Sequence, residues 1–216
     1  MKSDTIAAIA TALSDAGIGI IRISGPEAIA VANRVVVNKK KEHTLKNWQT
    51  HTIHYGFVEE NGTILDEVMV SVMKAPRSYT TEDTVEINCH GGVLLTKRVL
   101  EAVLHAGARM AEPGEFTKRA FLSGRIDLSE AEAVMDLIQA KNQFSMQASI
   151  KQLRGSVAEK VKSLRAALLY EIAFIESALD DPEHISTEGY SEKLGKITQE
   201  LSLIHISEPT RLLSIS

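Results

Sequence analysis

The chain has 216 residues, which is enough to bury a sizeable core in one or two domains. Its 24 basic and 28 acidic residues nearly balance, which argues against a protein devoted to nucleic-acid binding, since such proteins concentrate basic residues on one surface. A single cysteine, Cys89, excludes an internal disulfide framework and fits a reducing compartment, and no apolar run approaches the ~20 residues of a membrane span.

The first clear element is a β-branched run from Gly17 to Gly25, which predicts a buried strand. Arg22 lies inside this run, and a guanidinium in a buried strand must be paired or must reach a pocket, because an unpaired buried charge is very costly. From the residues alone, two interpretations of Arg22 stay open. Either it forms an ion pair that supports the fold, or it contacts a ligand.

A helix and a β-hairpin are predicted after this strand. The residues Ser24–Glu27 are typical of a helix start. The hairpin consists of strands at Thr52–Val58 and Thr63–Met73, joined through Glu60-Asn61-Gly62, a turn sequence typical of hairpins. Alternation puts two sets of side chains on one face each: Ile53, Tyr55 and Phe57 in the first strand, and Val68, Val70 and Val72 in the second.

Glu86 lies in the next predicted strand, Thr84–His90, which follows a polar loop at residues 74–83. Alternation predicts two faces of this strand: Val85, Ile87 and Cys89 on one, and Thr84, Glu86, Asn88 and His90 on the other. From alternation alone, the polar face is an ordinary solvent-facing surface, the default for a half-buried strand. We interpret Cys89 as a core residue and not as a nucleophile. A turn at Gly91-Gly92 then leads into a helix predicted at Val93–His105.

The segment from residue 113 to residue 132 contains two helix starts and one helix end. Pro113 and Glu115 suit the first turn of a helix, and Gly124 suits its end because glycine adopts the left-handed conformation. Ser129 and Glu132 predict a capping box that begins the next helix. The chain is mixed before this segment and helical after it. We therefore predict two domains, at residues 1–119 and 120–202.

Three helices are predicted in the second domain. The first begins at Ser129 and extends past Lys151, with a break or kink at Gly155. The second carries an apolar stripe that predicts the seam of a helix bundle: Val157, Val161, Leu164, Leu168, Ile172, Ile175 and Leu179. A third, shorter helix is predicted around Leu194–Leu201. Residues 203–216 do not continue its pattern, and we interpret them as a foreign tail on a truncated chain.

These elements together predict an α+β protein, with an N-terminal mixed sheet and helices followed by an all-α domain. The segment Gly189–Ile197 is only superficially similar to a phosphate-binding P-loop. Its spacing is too long, and Ile197 stands where serine or threonine should hold magnesium. We therefore expect this chain not to bind GTP through a P-loop.

Three long, irregular stretches are similar to one known family. They read DTIAAIATA…GIGIIRISG at Asp4–Gly25, APRSYTTEDTVEINCHGG at Ala75–Gly92, and PGEFTKRAFLSGRIDLSEAEAVMDLI from Pro113. Over residues 4 to about 200, the chain resembles the tRNA-modification GTPase family, called MnmE or TrmE.

The resemblance implies a first domain similar to the folate-binding domain of the aminomethyltransferases, which binds a 5-formyl-type tetrahydrofolate and forms a homodimer. A helical domain interrupted by a G domain follows, and family chains end in a Cys-x-Gly-Lys motif. By this resemblance, we expect the full protein to be cytoplasmic and to work with a FAD-containing partner protein on C5 of the wobble uridine of tRNA, with the folate as one-carbon donor. GTP, potassium and magnesium are expected only through the G domain.

Three residues of this chain match the family's folate contacts. They are Arg22 in IIRISG, Glu86 in TVEIN, and Arg125 before IDL, where the family often has lysine. A carboxylate can accept paired hydrogen bonds from the amino-pyrimidine edge of a pterin, and cations suit the glutamyl tail or the formyl oxygen. The resemblance implies no catalytic residue and no metal site in this chain.

The G domain and the terminal cysteine motif do not occur in this sequence, and Cys89 is not equivalent to that cysteine. We therefore expect this chain alone to lack GTPase and tRNA-modifying activity. The alternative is a non-catalytic dimerisation or interaction module whose folate site is incomplete without the missing segments.

Overall fold

The computed structural model describes residues 4–153, 156–181 and 190–207. The chain divides into two compact units, Met1–Ala131 and Glu132–Ser216. The division falls C-terminal to the boundary predicted at residues 119 and 120. Ion pairs to Asp4 and Glu82 bind the helix that contains Arg119 to the first unit, so this helix folds with the sheet.

A seven-stranded mixed sheet organises the first unit. Its strands are β1 (Ile6–Ile9), β2 (Ala16–Ser24), β3 (Val36–Val37), β4 (Thr52–Glu60), β5 (Thr63–Met73), β6 (Thr84–Gly91) and β7 (Arg109–Met110). They lie in the order β3-β4-β5-β6-β2-β1-β7, and every neighbouring pair is antiparallel except β1 and β7. The predicted α+β class with a mixed sheet is confirmed.

Helices α1 (Ala28–Val35) and α2 (Val93–His105) pack against one face of this sheet. The core between them is aliphatic and includes Val31, Val99, Ile21, Val70 and Ile87, all at most 1% exposed. Burial of such side chains is the main source of stability in a sheet with helices on one face. The opposite face of the sheet carries the alternate residues of the same strands, among them Arg22 and Glu86.

Three of the strands were not predicted from the sequence. Strand β1 is short and contains Ala7 and Ala8, which have low strand propensity, and β3 and β7 have only two residues each. Strand β1 forms because β2 supplies a long partner, with Ala8 opposite Arg22. Pairing with β2 thus overrides the low intrinsic strand propensity of β1.

The predicted hairpin turn is confirmed. Asn61 and Gly62 have φ values of 50° and 81°, so both lie in the left-handed region that a tight turn with two such residues requires. The predicted helix end is also confirmed, because α3 (Glu115–Leu122) is followed by Gly124 at φ 75°. Local turn chemistry therefore predicted both features correctly.

The capping box is two residues earlier than predicted. Asp127 Oδ1 accepts the backbone N–H of Glu130 at 2.8 Å, and Glu130 Oε2 accepts the N–H of Asp127 at 2.8 Å. These reciprocal bonds begin α4 (Leu128–Gln139), whereas the prediction used Ser129 and Glu132. Asp127 is the better cap because its carboxylate also favours the positive end of the helix dipole.

The remaining helices are α5 (Gln143–Leu153), α6 (Ser156–Asp180) and α7 (Tyr190–Ser207). The helix predicted to extend past Lys151 is in fact two helices, because Asn142 Oδ1 accepts the N–H of Ser145 at 2.8 Å and caps a new start. Gly155 lies outside the described residues. Helix α7 continues to Ser207, beyond the point where the sequence pattern ends.

The apolar stripe predicted on α6 is only partly buried. Its buried face contains Leu164 and Ala178, together with the carboxylate-bearing Glu171. Val161, Ile172 and Leu179 are exposed, contrary to the predicted seam. Within the second unit, Lys193 of α7 pairs with Glu171 at 2.7 Å, which explains how a carboxylate occupies the buried face.

No helix in the part of the chain that the structure describes combines the length and apolar character needed to cross a membrane.

Candidate ligand-binding site

Arg22 and Glu86 lie directly opposite each other on the neighbouring strands β2 and β6. Arg22 Nε donates to Glu86 Oε1 at 2.8 Å. The side chains are 32% and 22% exposed, so the pair lines the surface of the sheet and is not sealed in the core. Arg22 is therefore paired, as one interpretation of the sequence required, and it is also open to a ligand.

Phe116 of α3 forms an aromatic wall beside this pair. The guanidinium carbon of Arg22 lies 5.7 Å from the centre of the Phe116 ring, within range of a cation–π interaction. Sequence reasoning assigned Phe116 no role. The only available indication was its place in the PGEF segment, directly after the start of the helix.

A cluster of ion pairs holds α3 in place. Arg109 donates to Asp4 at 2.6 Å and to Glu115 at 2.7 Å, and Arg119 donates to Asp4 at 2.8 Å and to Glu82 at 3.1 Å. Hydrogen bonds from Arg109 lower the pKa of Asp4 to about 2 and, with those from the Glu112 backbone and Arg119, lower the pKa of Glu115 to about 2. These charges tie β1, β7, α3 and the loop at residues 74–83 together.

Arg125 lies beside that loop. Its Nη1 donates to the carbonyl oxygen of Ser78 at 2.8 Å, and its guanidinium carbon is 5.1 Å from the centre of the Tyr79 ring. The Tyr79 hydroxyl lies 3.1 Å from Oγ1 of Thr117 on α3. Tyr79 is therefore a second aromatic residue that sequence reasoning missed, since its position in a polar loop gave no pattern to interpret.

The structure brings two of the three predicted site residues into contact. Arg22 and Glu86 touch, whereas Arg125 is positioned separately through Ser78 and Tyr79. Helix α3 connects the Arg22–Glu86 pair with the surroundings of Arg125. Its Phe116 lies beside Arg22, and its Thr117 contacts the Tyr79 hydroxyl. All of these residues belong to the first compact unit.

The side chain of Asn88 bears on whether a folate could bind to the sheet face that carries Glu86. Its Oδ1 is buried and has no hydrogen-bond partner within the described residues. Buried polar atoms are almost always paired, so an acceptor in this state suits a ligand that brings an N–H donor. Asn88 lies two residues from Glu86 on the same face of β6, and a carboxylate beside an amide acceptor matches the donor-rich edge of a pterin.

Cys89 faces the other side of the sheet, and its predicted place in the core is confirmed. Its Sγ–H donates to the carbonyl oxygen of Gly19 at 3.3 Å, and burial raises the pKa of the thiol. A buried thiol with a raised pKa is a poor nucleophile. Over the described residues, no group of three histidine, cysteine or acidic side chains is arranged to hold a metal ion.

Comparison with known proteins agrees with this division of the chain. The family model described as GTP-binding protein TrmE N-terminus matches residues 5–125, and the one described as MnmE helical domain matches residues 128–213. The chain belongs to the TrmE/MnmE family. All three predicted site residues fall within the TrmE N-terminal match, and the helical match includes most of the segment at residues 203–216.

Several curated relatives are named tRNA modification GTPase MnmE. The protein from Lachnoclostridium phytofermentans is 57% identical over 218 residues, which cover 99% of this chain and 48% of the relative. The protein from Listeria welshimeri is 50% identical over 194 residues, covering 90% and 42%, and that from Streptococcus thermophilus is 51% identical over 191 residues, covering 88% and 41%. The chain thus spans less than half the length of these MnmE relatives.

Proposed function

We propose that this chain is the part of a tRNA-modifying GTPase that binds a reduced folate of the 5-formyltetrahydrofolate type. The observation that carries the proposal is the pair Arg22–Glu86 on an open sheet face, with the buried, unpartnered Oδ1 of Asn88 beside it. Glu86 and Asn88 would accept hydrogen bonds from the pterin, and the hydrogen bond from Arg22 would orient the Glu86 side chain. Phe116 would cover the ligand with an apolar ring.

The rest of the activity would belong to the whole protein, and the names of the relatives support it only as far as tRNA modification by a GTPase. We propose that the bound folate is the one-carbon donor for an aminomethyl-type modification at C5 of the wobble uridine of tRNA. A G domain would supply GTP hydrolysis with magnesium and potassium, and a FAD-containing protein would be the partner, in the cytoplasm. Within this chain, Arg22, Glu86 and Arg125 are binding residues, and none is assigned a catalytic step.

The proposal is tested by calorimetric titration of the 216-residue chain with 5-formyltetrahydrofolate. Saturable binding is expected, and Arg22→Met should weaken it by about tenfold or more because the variant removes a charged partner from the site. A fragment of the ligand without the pterin, p-aminobenzoyl-glutamate, should bind much more weakly. Binding of the fragment and the folate with equal affinity would contradict recognition through Glu86 and Asn88.

A second candidate function is a non-catalytic dimerisation module. The observation in its favour is the exposed apolar surface on the same sheet face, where Ile53, Tyr55 and Met69 are 61%, 42% and 45% exposed. Contiguous exposed apolar surface on a sheet is typical of a protein–protein interface. Dimerisation without any folate binding would favour this second function. A chain that both dimerises and binds folate would have the two functions together.

A further inference from the structure

A cavity of about 440 Å³ opens beside Arg125. It is lined by three nitrogen-rich side chains, His51, Arg77 and Arg125, and by the ring of Tyr79. None of the described residues that line it carries a carboxylate. A cavity with two permanent cations and no acidic group attracts anions.

The two arginines of this cavity are not neutralised by neighbouring carboxylates. Within the described part of the chain, the Arg77 guanidinium makes no hydrogen bond or ion pair, and Arg125 donates only to the Ser78 carbonyl. The acidic residues of the same loop are engaged elsewhere. Glu82 accepts from Arg119 and Ser24, and Asp83 Oδ1 accepts the N–H of Ala75 at 2.8 Å.

His51 stands at the entry to β4 in the left-handed region, with φ 61°. This conformation is uncommon for residues other than glycine and is concentrated at functional sites. Its Nδ1 lies 2.8 Å from the Thr50 hydroxyl, and its other ring nitrogen has no partner among the described residues. His51 can therefore offer a further N–H to an anion in this cavity.

The cavity is aligned with the proposed pterin site along β6. Met73, which lines the cavity, is paired with Thr84, and Glu86 is two residues further along the same face, ~7 Å at the usual strand rise. A ligand whose flat end meets Glu86 and whose acidic tail extends along the strand would reach the cavity. Folates have this shape, with a pterin at one end and one or more γ-linked glutamates at the other.

We propose that His51, Arg77 and Arg125 form a subsite for the γ-glutamyl carboxylates of the folate, and that the chain prefers polyglutamylated folates over the monoglutamate. This inference rests on the proposed folate-binding function. Arginine forks bind carboxylates through paired hydrogen bonds, so each added glutamate gains a partner only where an unpaired cation faces it.

The experiment titrates the chain with 5-formyltetrahydrofolate as the monoglutamate and as the triglutamate. We expect the triglutamate to bind about tenfold tighter, the scale of one charge-assisted hydrogen bond. Arg77→Gln should reduce this ratio to about twofold while changing monoglutamate affinity little, because Arg77 is exposed and would contact only the added glutamates. His51→Gln should reduce the ratio by a smaller factor.

Arg98→Gln is the matched control, because it removes the same charge from α2, where Arg98 pairs with Glu60 and Glu101. This variant should keep the wild-type ratio. Equal affinity for the two ligands, or an unchanged ratio in Arg77→Gln, would overturn the subsite while leaving folate binding intact. Absence of monoglutamate binding would instead overturn the proposed function and the subsite together. The proposal would also be overturned if the wild-type chain showed no preference for the triglutamate but bound single-stranded RNA, and if Arg77→Gln lost that RNA binding. The cavity would then be a site for phosphates.

Discussion

Arg22 and Glu86 are 64 residues apart in sequence and form a 2.8 Å ion pair across β2 and β6. The register of these two strands places their Cα atoms directly opposite each other, and partial exposure leaves the pair accessible on the sheet surface. The same contact therefore supports the sheet and presents a carboxylate to a ligand. How these two roles divide can be measured.

Glu86→Gln should weaken binding of 5-formyltetrahydrofolate by about 1.5–3 kcal/mol, because a hydrogen bond to a charged group is replaced by one to a neutral group. Stability should fall by no more than about 1 kcal/mol, since a partly exposed ion pair contributes little. Calorimetry and urea unfolding measure the two effects. Glu67→Gln, an exposed residue on the same face, is the control and should change neither. If Glu86→Gln unfolds the chain but leaves folate affinity intact, Glu86 is only a structural partner of Arg22.

Ile53→Lys should weaken self-association of the chain by at least about tenfold. Ile53 is exposed on the sheet face that carries Tyr55 and Met69, and a charge buried in an apolar interface is costly. Sedimentation velocity over a range of concentrations measures the effect. Ile64→Lys is the matched control, because Ile64 is also exposed but lies next to the hairpin turn. A wild-type chain that stays monomeric at tens of micromolar, roughly the range for such interfaces, would contradict a dimer through this face.

Glu115→Gln should make the chain less sensitive to acid. Because Arg109 lowers the pKa of folded Glu115 from 4.5 to about 2, the ionised form stabilises the fold above pH 4.5. That contribution is lost as the pH falls from about 4.5 to about 2, where the folded carboxylate finally binds a proton. At pH 7 we expect the variant to lose about 1–2 kcal/mol, reduced from the full value because Arg109 is partly exposed to solvent.

Urea unfolding at pH 7 and pH 3 measures this effect. The difference in stability between wild type and Glu115→Gln should shrink at pH 3. A difference that is the same at both pH values would show that the variant disturbs packing and not the charge of Glu115. Glu101→Gln, an exposed partner of Arg98, provides the comparison for a surface ion pair and should have little effect at either pH.

Gly91→Ala should destabilise the chain by about 1–3 kcal/mol, the usual cost of overpacking. A methyl group at this position would meet the backbone of Ala16 and Ile18 on β2, which cannot move aside. Gly92→Ala is the matched control, because a methyl group there meets nothing within 4 Å and its φ of −62° suits any residue. Thermal unfolding of both variants compares them, and equal melting temperatures would be inconsistent with close packing at Gly91.

Several features of this protein follow from short stretches of sequence alone. The Asn61-Gly62 turn, the alternation along β6 and the helix end at Gly124 were predicted correctly, because each depends on neighbouring residues and their allowed backbone conformations. The family resemblance also identified Arg22, Glu86 and Arg125 as candidate site residues. Those predictions required no knowledge of which segments meet in space.

The tertiary structure decided the features that depend on distant partners. The residues of β1 have weak intrinsic strand propensity, and this strand forms because β2 pairs with it. Asp127 caps α4 in place of the predicted Ser129, because its carboxylate accepts the backbone N–H of Glu130 in the first turn. Phe116 and the unpartnered Asn88 join the site only once strand register and the ion pairs of α3 have placed them. Sequence patterns carry local backbone preferences, whereas contacts between segments far apart in the chain depend on register and packing, which no short stretch encodes by itself.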